Sequence, residues 1–123
     1  MLYLPPPTLA YQKARNNTSK IITQSAVILY QNNSFFNLPQ DNTYIGITIS
    51  KKSVNKAVLR NKVKRRFRAI IRAYLQEDKL PNMTIIFIIR AQILNFSFAT
   101  LQREIIKSLN KITQQHKKAL IDG

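Results

Sequence analysis

The pattern of apolar and polar positions predicts several strands in this chain. In residues 44–50 isoleucine recurs at every second position, which is typical of a strand with one face in a core and the other face open. Residues 84–89 form an unbroken apolar and β-branched run, as in a strand covered on both faces. Residues 25–30 favour a further strand, and residues 31–42, with Asn, Ser, Pro and Asp, favour a loop.

A long amphipathic helix is predicted after the alternating strand. Its apolar residues recur at spacings of three and four and define one buried stripe. Ser53 or Asn55 is the predicted N-cap, and the helix should end by about Asp78, because Leu80 precedes a proline and is excluded from the helical region. The stripe consists of Leu59, Val63, Phe67, Ile70, Ile71 and Tyr74.

Both ends of the chain also predict helices. A short helix over residues 8–16, with Thr8 as its N-cap, follows an extended proline-rich lead-in at residues 1–7. A last amphipathic helix begins at Asn95 or Ser97, and we expect residues 113–123 to be a frayed tail. Its inward residues are Phe98, Leu101, Ile105, Leu109 and Ile112.

The order of these elements indicates an α+β fold, in which helices pack on a small mixed sheet. The long helix connects strands 44–50 and 84–90, which we expect to be parallel, so it forms a crossover. The general rule makes such crossovers right-handed. The 123 residues predict a single domain spanning residues 1–123.

Positive charge is concentrated in the predicted long helix. Residues 51–72 hold ten of the twenty Lys and Arg residues and no acid, in a chain of net charge +15. Lys56, Arg60, Lys64, Arg68 and Arg72 recur at every fourth position, where like charges repel by roughly 0.2–0.5 kcal/mol per pair. A polyanion beside the helix would relieve this repulsion, so we interpret the segment as a phosphate-binding element.

The residue types argue against a catalytic site in the chain itself. Hydrolysis of a phosphodiester needs carboxylates that hold Mg²⁺ or a base that activates water. The chain has five acids, of which only Glu77 and Asp78 are adjacent, and its single histidine, His116, is interpreted as a surface residue. The absence of cysteine excludes thiolate zinc sites. We therefore expect no catalytic and no metal-ligating residues.

A membrane location is not favoured by the sequence. The longest apolar run, residues 85–89, is far shorter than the roughly 20 residues that a spanning helix needs. The first residues lack the basic and apolar regions of a signal peptide. We therefore expect a cytoplasmic protein without membrane partners or a small-molecule substrate.

One group of residues closely resembles the RNR signature region of the bacterial ribonuclease P protein subunit. Residues 44–52 and 84–90 resemble the third and fourth strands of that family, so the likeness covers about residues 44–112, and before residue 44 it is thin. The residues that carry the signature are Ser50-Lys51-Lys52, Ala57-Val58, Arg60-Asn61, Lys64-Arg65 and Arg68.

The resemblance implies that the chain binds a large catalytic RNA, which removes 5′ leaders from precursor tRNA with Mg²⁺ ions, while the protein supplies no catalytic group. It also implies the order αβββαβα with a left-handed βαβ crossover, as in domain 2 of ribosomal protein S5, and here we follow the family rather than the general rule. The implied RNA-binding residues are Lys51, Lys52, Lys56, Arg60, Asn61, Lys64, Arg65 and Arg68.

A second implied site is a cleft between the first helix and the sheet, where family members hold the single-stranded leader. Tyr11 and Tyr30 fall on aromatic positions of that cleft. Arg15 stands where many relatives have a second aromatic residue, and we include it in the leader cleft. The residues alone leave both tyrosines open between a place at the edge of a core and the stacking of a base.

Two other functions share this size and charge. One is a small ribosomal or ribosome-assembly RNA-binding protein, and the other is a protein-only nuclease that uses Glu77 or Asp78. The resemblance favours the ribonuclease P subunit, whose partners are the catalytic RNA and precursor tRNA.

Overall fold

The computed structural model describes residues 3–16, 18–77 and 80–122, and its elements follow the predicted order αβββαβα. The first three are α1 (Thr8–Lys13), β1 (Ser19–Ile22) and β2 (Ala26–Asn32). The remaining four are β3 (Tyr44–Ile49), α2 (Ala57–Glu77), β4 (Met83–Ile89) and α3 (Phe98–Asp122). Short 3₁₀ helices span Asn33–Phe36 and Ala91–Asn95. The α+β class is confirmed.

The strands form one mixed sheet in the order β1-β2-β4-β3. β2 is antiparallel to both of its neighbours, whereas β3 runs parallel to β4 with Ile45 opposite Ile85. The predicted parallel pair is therefore confirmed, and α2 is the crossover between its two strands. The left-handed sense of this crossover, which the family resemblance implies, stays a prediction.

Helices pack on both faces of the sheet. On one face α2 and α3 cover a core in which the rings of Phe67 and Phe87 meet edge to face, with centroids 5.8 Å apart. On the other face α1 covers a smaller cluster that includes Ala10, Leu29 and Ile86. β4 is consequently buried along almost its whole length, as its continuous apolar run predicts.

The predicted stripe of α2 is buried from Val63 to Tyr74, and Leu59 is half-buried. α2 ends at Glu77, close to the predicted end, while Asp78 lies outside the described residues. Of the helices that fall within the described ranges, none is long and apolar enough to cross a membrane.

The prediction for the start of α2 is wrong. The helix begins at Ala57, so neither Ser53 nor Asn55 directly precedes it. Lys56 occupies that position, and its carbonyl accepts the N–H of Arg60 at 3.0 Å. Lys56 has no short polar side chain that could cap the helix, so another group has to fix this end.

α1 is shorter than predicted. It ends at Lys13 rather than at residue 16, and its N-cap is Pro7, with Thr8 as the first helical residue. The hydroxyl of Thr18 donates to the carbonyl of Ala14, which turns the chain toward β1 instead of continuing the helix. In the lead-in, residues 3–7 are described and residues 1 and 2 are not.

α3 begins as predicted and ends later than predicted. The Ser97 hydroxyl accepts the N–H of Thr100 at 3.2 Å, so Ser97 is the N-cap. Phe98, predicted to face inward, is 44% exposed. It is the first residue of the helix and lies beyond the end of the core, whose first buried residue on α3 is Leu101. Residues 113–122, predicted to be frayed, continue the helix, and the hydroxyl of Tyr30 donates to Oε1 of Gln115 and attaches this part to β2.

The loop after β2 is organised by one buried side chain. Asn33 donates to the carbonyls of Pro39 and Asn42 at 3.0 and 2.7 Å, and its side-chain oxygen accepts the hydroxyl of Thr84 at 2.8 Å. Asn33 thereby connects the predicted loop, which contains a 3₁₀ helix, to the start of β4.

The turn between β1 and β2 is held by a carboxylate of α3. Oε1 of Glu104 accepts the backbone N–H of Ser25 at 3.0 Å and also its hydroxyl. Partial burial alone would raise the pKa of Glu104, but the hydrogen bonds from Ser25 and Thr23 outweigh burial and lower the pKa of this carboxyl.

We expect this turn to weaken in acid. A carboxyl whose pKa is lowered by folding contributes stability above its ordinary value of 4.5, and the contribution is lost as the pH falls through the lowered pKa. The free energy of unfolding should therefore fall less steeply with acid in Glu104→Gln than in the unchanged chain. Urea titrations from pH 7 to pH 3 measure this difference, with the exposed Glu77→Gln as control. Parallel profiles for all three proteins would contradict the assignment.

Candidate nucleic-acid interface

The predicted RNA-binding residues lie together along α2 and the turn before it. Lys51 and Lys52 are exposed in the turn after β3, and Arg65 and Arg68 are exposed on α2. Lys64 is half-buried beside the apolar stripe. The helix of 21 residues is roughly 31 Å long, so these cations form one extended surface, the α2 surface. Its other predicted members are Lys56, Arg60 and Asn61.

Arg60 has a structural contact that the sequence did not indicate. Its Nη1 donates to the carbonyl of Val54 at 2.9 Å and to the carbonyl of Asn55 at 2.8 Å. Val54 is buried, so the guanidinium joins the first turn of α2 to a fixed point of the preceding loop. Arg60 therefore fixes the start of α2, which lacks a side-chain cap, and positions the turn that carries Lys51 and Lys52.

The α2 surface reaches a cavity at the outer edge of β3. The cavity has a volume of about 570 Å³, and Arg68 and Arg72 form its α2 wall. Its opposite wall comes from the N-terminal segment and α1, and the floor comes from β3. The further lining residues are Tyr3, Pro5, Tyr11, Ile45, Gly46 and Ile47. We call this cavity the β3 cleft.

The N-terminal segment forms its wall by pairing with β3. The N–H of Leu4 donates to the carbonyl of Thr43 at 2.9 Å, and the Leu4 carbonyl accepts the N–H of Ile45 at 3.0 Å. The prediction of an open face on β3 is wrong for its first half, where Tyr44 and Gly46 are buried and the ring of Tyr11 lies against Gly46.

Tyr11 lies directly against Gly46. A Cβ atom added at Gly46 would lie 2.8 Å from Cζ of Tyr11 and 2.9 Å from Cε1, far inside van der Waals contact. The missing side chain therefore makes room for the tyrosine ring at the floor of the cleft. Burial raises the pKa of the Tyr11 hydroxyl, which stays a neutral hydrogen-bonding group.

The other two residues predicted for the leader cleft lie elsewhere. Tyr30 is 7% exposed on the opposite face of the sheet, where its hydroxyl donates to Gln115, and burial raises its pKa. Arg15 is exposed after the end of α1 and does not line the cleft. Strand alternation could have separated the tyrosines, because Tyr30 shares the face of Ala26 and Ile28, whereas α1 packs on Leu29.

Sequence reasoning also missed part of the cleft. Arg72 was assigned to the cationic row but not to a cleft, and Tyr3, Pro5 and Gly46 were not assigned to a site. A glycine within a strictly alternating strand was the available signal, since it often marks the close approach of another group. Among the described residues, no group of three His, Asp or Glu side chains could hold a metal ion.

Comparisons with known proteins show the family of this chain. A family model described as Ribonuclease P matches residues 8–113. The ribonuclease P protein component of Mycoplasma mycoides is 33% identical over 98 residues, which are 78% of this chain and 84% of that protein. The protein component of Mycoplasma capricolum is 32% identical over 104 residues, 83% of this chain and 88% of that protein.

Solved structures show the same fold. The RNase P protein of Staphylococcus aureus superposes with a TM-score of 0.73 at 23% identity and covers 90% of this chain and 97% of its own. The RNase P protein of Thermotoga maritima gives a TM-score of 0.69 at 23% identity, with 83% and 90% covered. From the extent of the family match and the identity to the relatives, the chain belongs to the ribonuclease P protein family.

Proposed function

We propose that this chain is the non-catalytic protein subunit of ribonuclease P, which binds the catalytic RNA and the 5′ leader of precursor tRNA in the cytoplasm and promotes 5′ maturation. The observation that carries the proposal is the family match over residues 8–113, which includes the whole α2 surface. A small ribosomal or ribosome-assembly RNA-binding protein is less favoured, because the family model that matches is that of ribonuclease P.

The α2 surface would hold the catalytic RNA through its phosphates. Its buried stripe fixes the helix on the sheet, so the exposed Lys and Arg side chains project from a rigid support. Guanidinium groups such as those of Arg65 and Arg68 donate paired hydrogen bonds to phosphate oxygens. Ten cations within 22 residues would also screen the repulsion between RNA strands that approach each other.

The β3 cleft is the proposed place of the leader. Tyr11 offers an aromatic ring on which an unpaired base can stack, while Arg68 and Arg72 on the facing wall can bind the backbone phosphates. Arg68 belongs to both surfaces, so the leader would enter the cleft next to the catalytic RNA. Tyr30 and Arg15 are not part of this proposal, since neither lines the cleft.

Magnesium is assigned to the RNA in this proposal. The described acids do not form a group that fits a metal ion, so the proposal gives this chain's own carboxylates no part in the reaction. The protein's contribution is electrostatic: its cations replace part of the screening of RNA phosphates that Mg²⁺ would otherwise provide, so a lower concentration of the ion suffices.

Reconstitution tests the proposal directly. Adding the chain to the catalytic RNA of the same genome at low Mg²⁺ should raise the rate of precursor-tRNA cleavage, because the cations replace part of the ionic screening. A Lys64→Glu/Arg65→Glu variant is the control and should not raise the rate. No increase at any Mg²⁺ concentration would overturn the proposal, as would cleavage by the chain alone that Glu77→Gln abolishes.

Substituting alanine for Arg65 and for Arg60 of α2 should affect different properties of the protein. Arg65→Ala should weaken RNA binding and reduce the slope of log K against log salt by about 0.7–0.9, with little change in stability. Arg60→Ala should lower the free energy of unfolding by roughly 1–2 kcal/mol, because two carbonyls lose a charged donor. Salt-dependent binding and urea titrations measure both effects. Equal effects of both variants on stability would contradict the anchoring role of Arg60.

The cleft can be tested through Gly46. Gly46→Ala should displace the Tyr11 ring and weaken binding of precursor tRNA with a long leader, while substrates with a one-nucleotide leader should be unaffected. Tyr11→Ala should cost about 1–3 kcal/mol of leader binding through lost stacking, whereas Tyr11→Phe should keep most of it. Thr48→Ala, on the same strand outside the cleft, is the matched control. A similar loss for both leader lengths would place the leader elsewhere.

A further inference from the structure

α3 carries a second cationic row that the proposed function does not use. Arg103, Lys107 and Lys111 recur at every fourth position, and all three are exposed. They line a shallow groove of about 710 Å³ along the outer side of the helix. The inward side is fixed by Leu101, Ile105, Leu109 and Ile112, all of which are buried.

This row runs along α3 from Arg103, on the side near α2, to Lys107 and Lys111, which lie beside β1. Asn110 accepts the hydroxyl of Tyr74 of α2, so the part of the groove that Arg103 and Asn110 line is the part nearer to α2. Lys107 and Lys111 instead line a cavity of about 510 Å³ together with Ile21 and Ile22 of β1. Arg68 and Arg72 line the β3 cleft, so these arginines and the two lysines of α3 border opposite edges of the sheet. Three strand spacings, roughly 14 Å, separate these edges.

The cavity beside β1 has the composition of a phosphate-binding surface. A third cation, Arg90, lines it, and Nη1 of Arg90 donates to the Thr23 carbonyl at 2.9 Å, which fixes the guanidinium at the rim. Glu104 also lines the cavity, but its Oε1 accepts two hydrogen bonds from Ser25 and is engaged with the turn. The cavity is therefore lined by three cations and one carboxylate, and that carboxylate is already hydrogen-bonded to Ser25.

One exposed apolar side chain accompanies these charges. Ile22 is 66% exposed in the wall of the cavity, where a ribose or a base could pack against it. A membrane surface fits less well, because insertion needs an exposed apolar helix face and the apolar face of α3 is buried. A polyanion with both phosphates and flat apolar groups matches the patch better.

We propose that the surface formed by Arg90, Arg103, Lys107 and Lys111 binds a second segment of RNA, separate from the segment on the α2 surface. This inference rests on the proposed function, since the RNA is that of the same ribonucleoprotein. The chain then bridges two RNA segments at opposite edges of its sheet. Bridging holds the segments together where their phosphates would otherwise repel each other.

Amine labelling of the unchanged chain tests the surface first. Lys107 and Lys111 should be modified by an acylating reagent in the free protein and protected in the complex with the catalytic RNA. Lys117, also exposed on α3 but about 80° and 120° around the helix from these two residues, is the internal control and should stay reactive. Full reactivity of Lys107 and Lys111 in the complex would overturn the inference.

A double variant gives a second, independent measurement. Lys107→Ala/Lys111→Ala should reduce the slope of log K against log salt by about 1.4–1.8, and nucleotides that lose protection from chemical probing should differ from those that Arg65→Ala exposes. Lys117→Ala should change neither. An unchanged slope with a normal effect of Arg65→Ala would reject the second surface and leave the proposed function intact, whereas no effect of either variant would reject both.

The same double variant separates RNA from a membrane. Phosphatidylglycerol vesicles serve as the probe in a flotation assay of the unchanged chain and the variant. We expect no difference between the two proteins at physiological salt. Vesicle binding that requires Lys107 and Lys111, without protection of these lysines by RNA, would assign the surface to lipid and overturn the inference.

Discussion

The packing of the α2 stripe against the sheet is the interaction on which the other features depend. Burying an apolar side chain contributes roughly 1.5–3 kcal/mol, and five residues of the stripe are buried, whereas each like-charge pair along the row costs roughly 0.2–0.5 kcal/mol. Burial therefore outweighs repulsion by a wide margin, and a helix that would be poorly stable alone is held on the sheet. The same packing sets which side of α2 points to solvent and brings Arg68 and Arg72 to the β3 cleft.

The strands β2, β3 and β4 and the α2 stripe could be predicted from the sequence, because each follows from a pattern of apolar residues that burial imposes. The full order αβββαβα came from the family resemblance. What could not be predicted depends on strand pairing and side-chain contacts that no periodicity marks. β1 has only four residues, most of them exposed, and exists through its pairing with β2. The pairing of Leu4 with β3 and the guanidinium contact of Arg60 leave no local pattern.

The candidate site shows the same division. The cations of α2 were predictable because charge density is visible in the sequence itself. Of the three residues that the resemblance assigns to a leader cleft, only Tyr11 lines the β3 cleft, because strand alternation places Tyr30 on the opposite face of the sheet and Arg15 follows the end of α1. Arg72 and Gly46 join the cleft through the three-dimensional arrangement of α2, β3 and α1.

The short pairing of Leu4 with β3 also bears on how the protein behaves in solution. β3 is an outer strand of the sheet, and an outer strand with free backbone groups is a template for association with another chain. Residues 3–5 occupy the first part of that edge, and the cationic side chains of α2 stand beside the rest. A second copy that approached this edge would meet the same positive charge. The arrangement that leaves the β3 cleft open therefore also opposes edge-to-edge pairing of two copies of the chain.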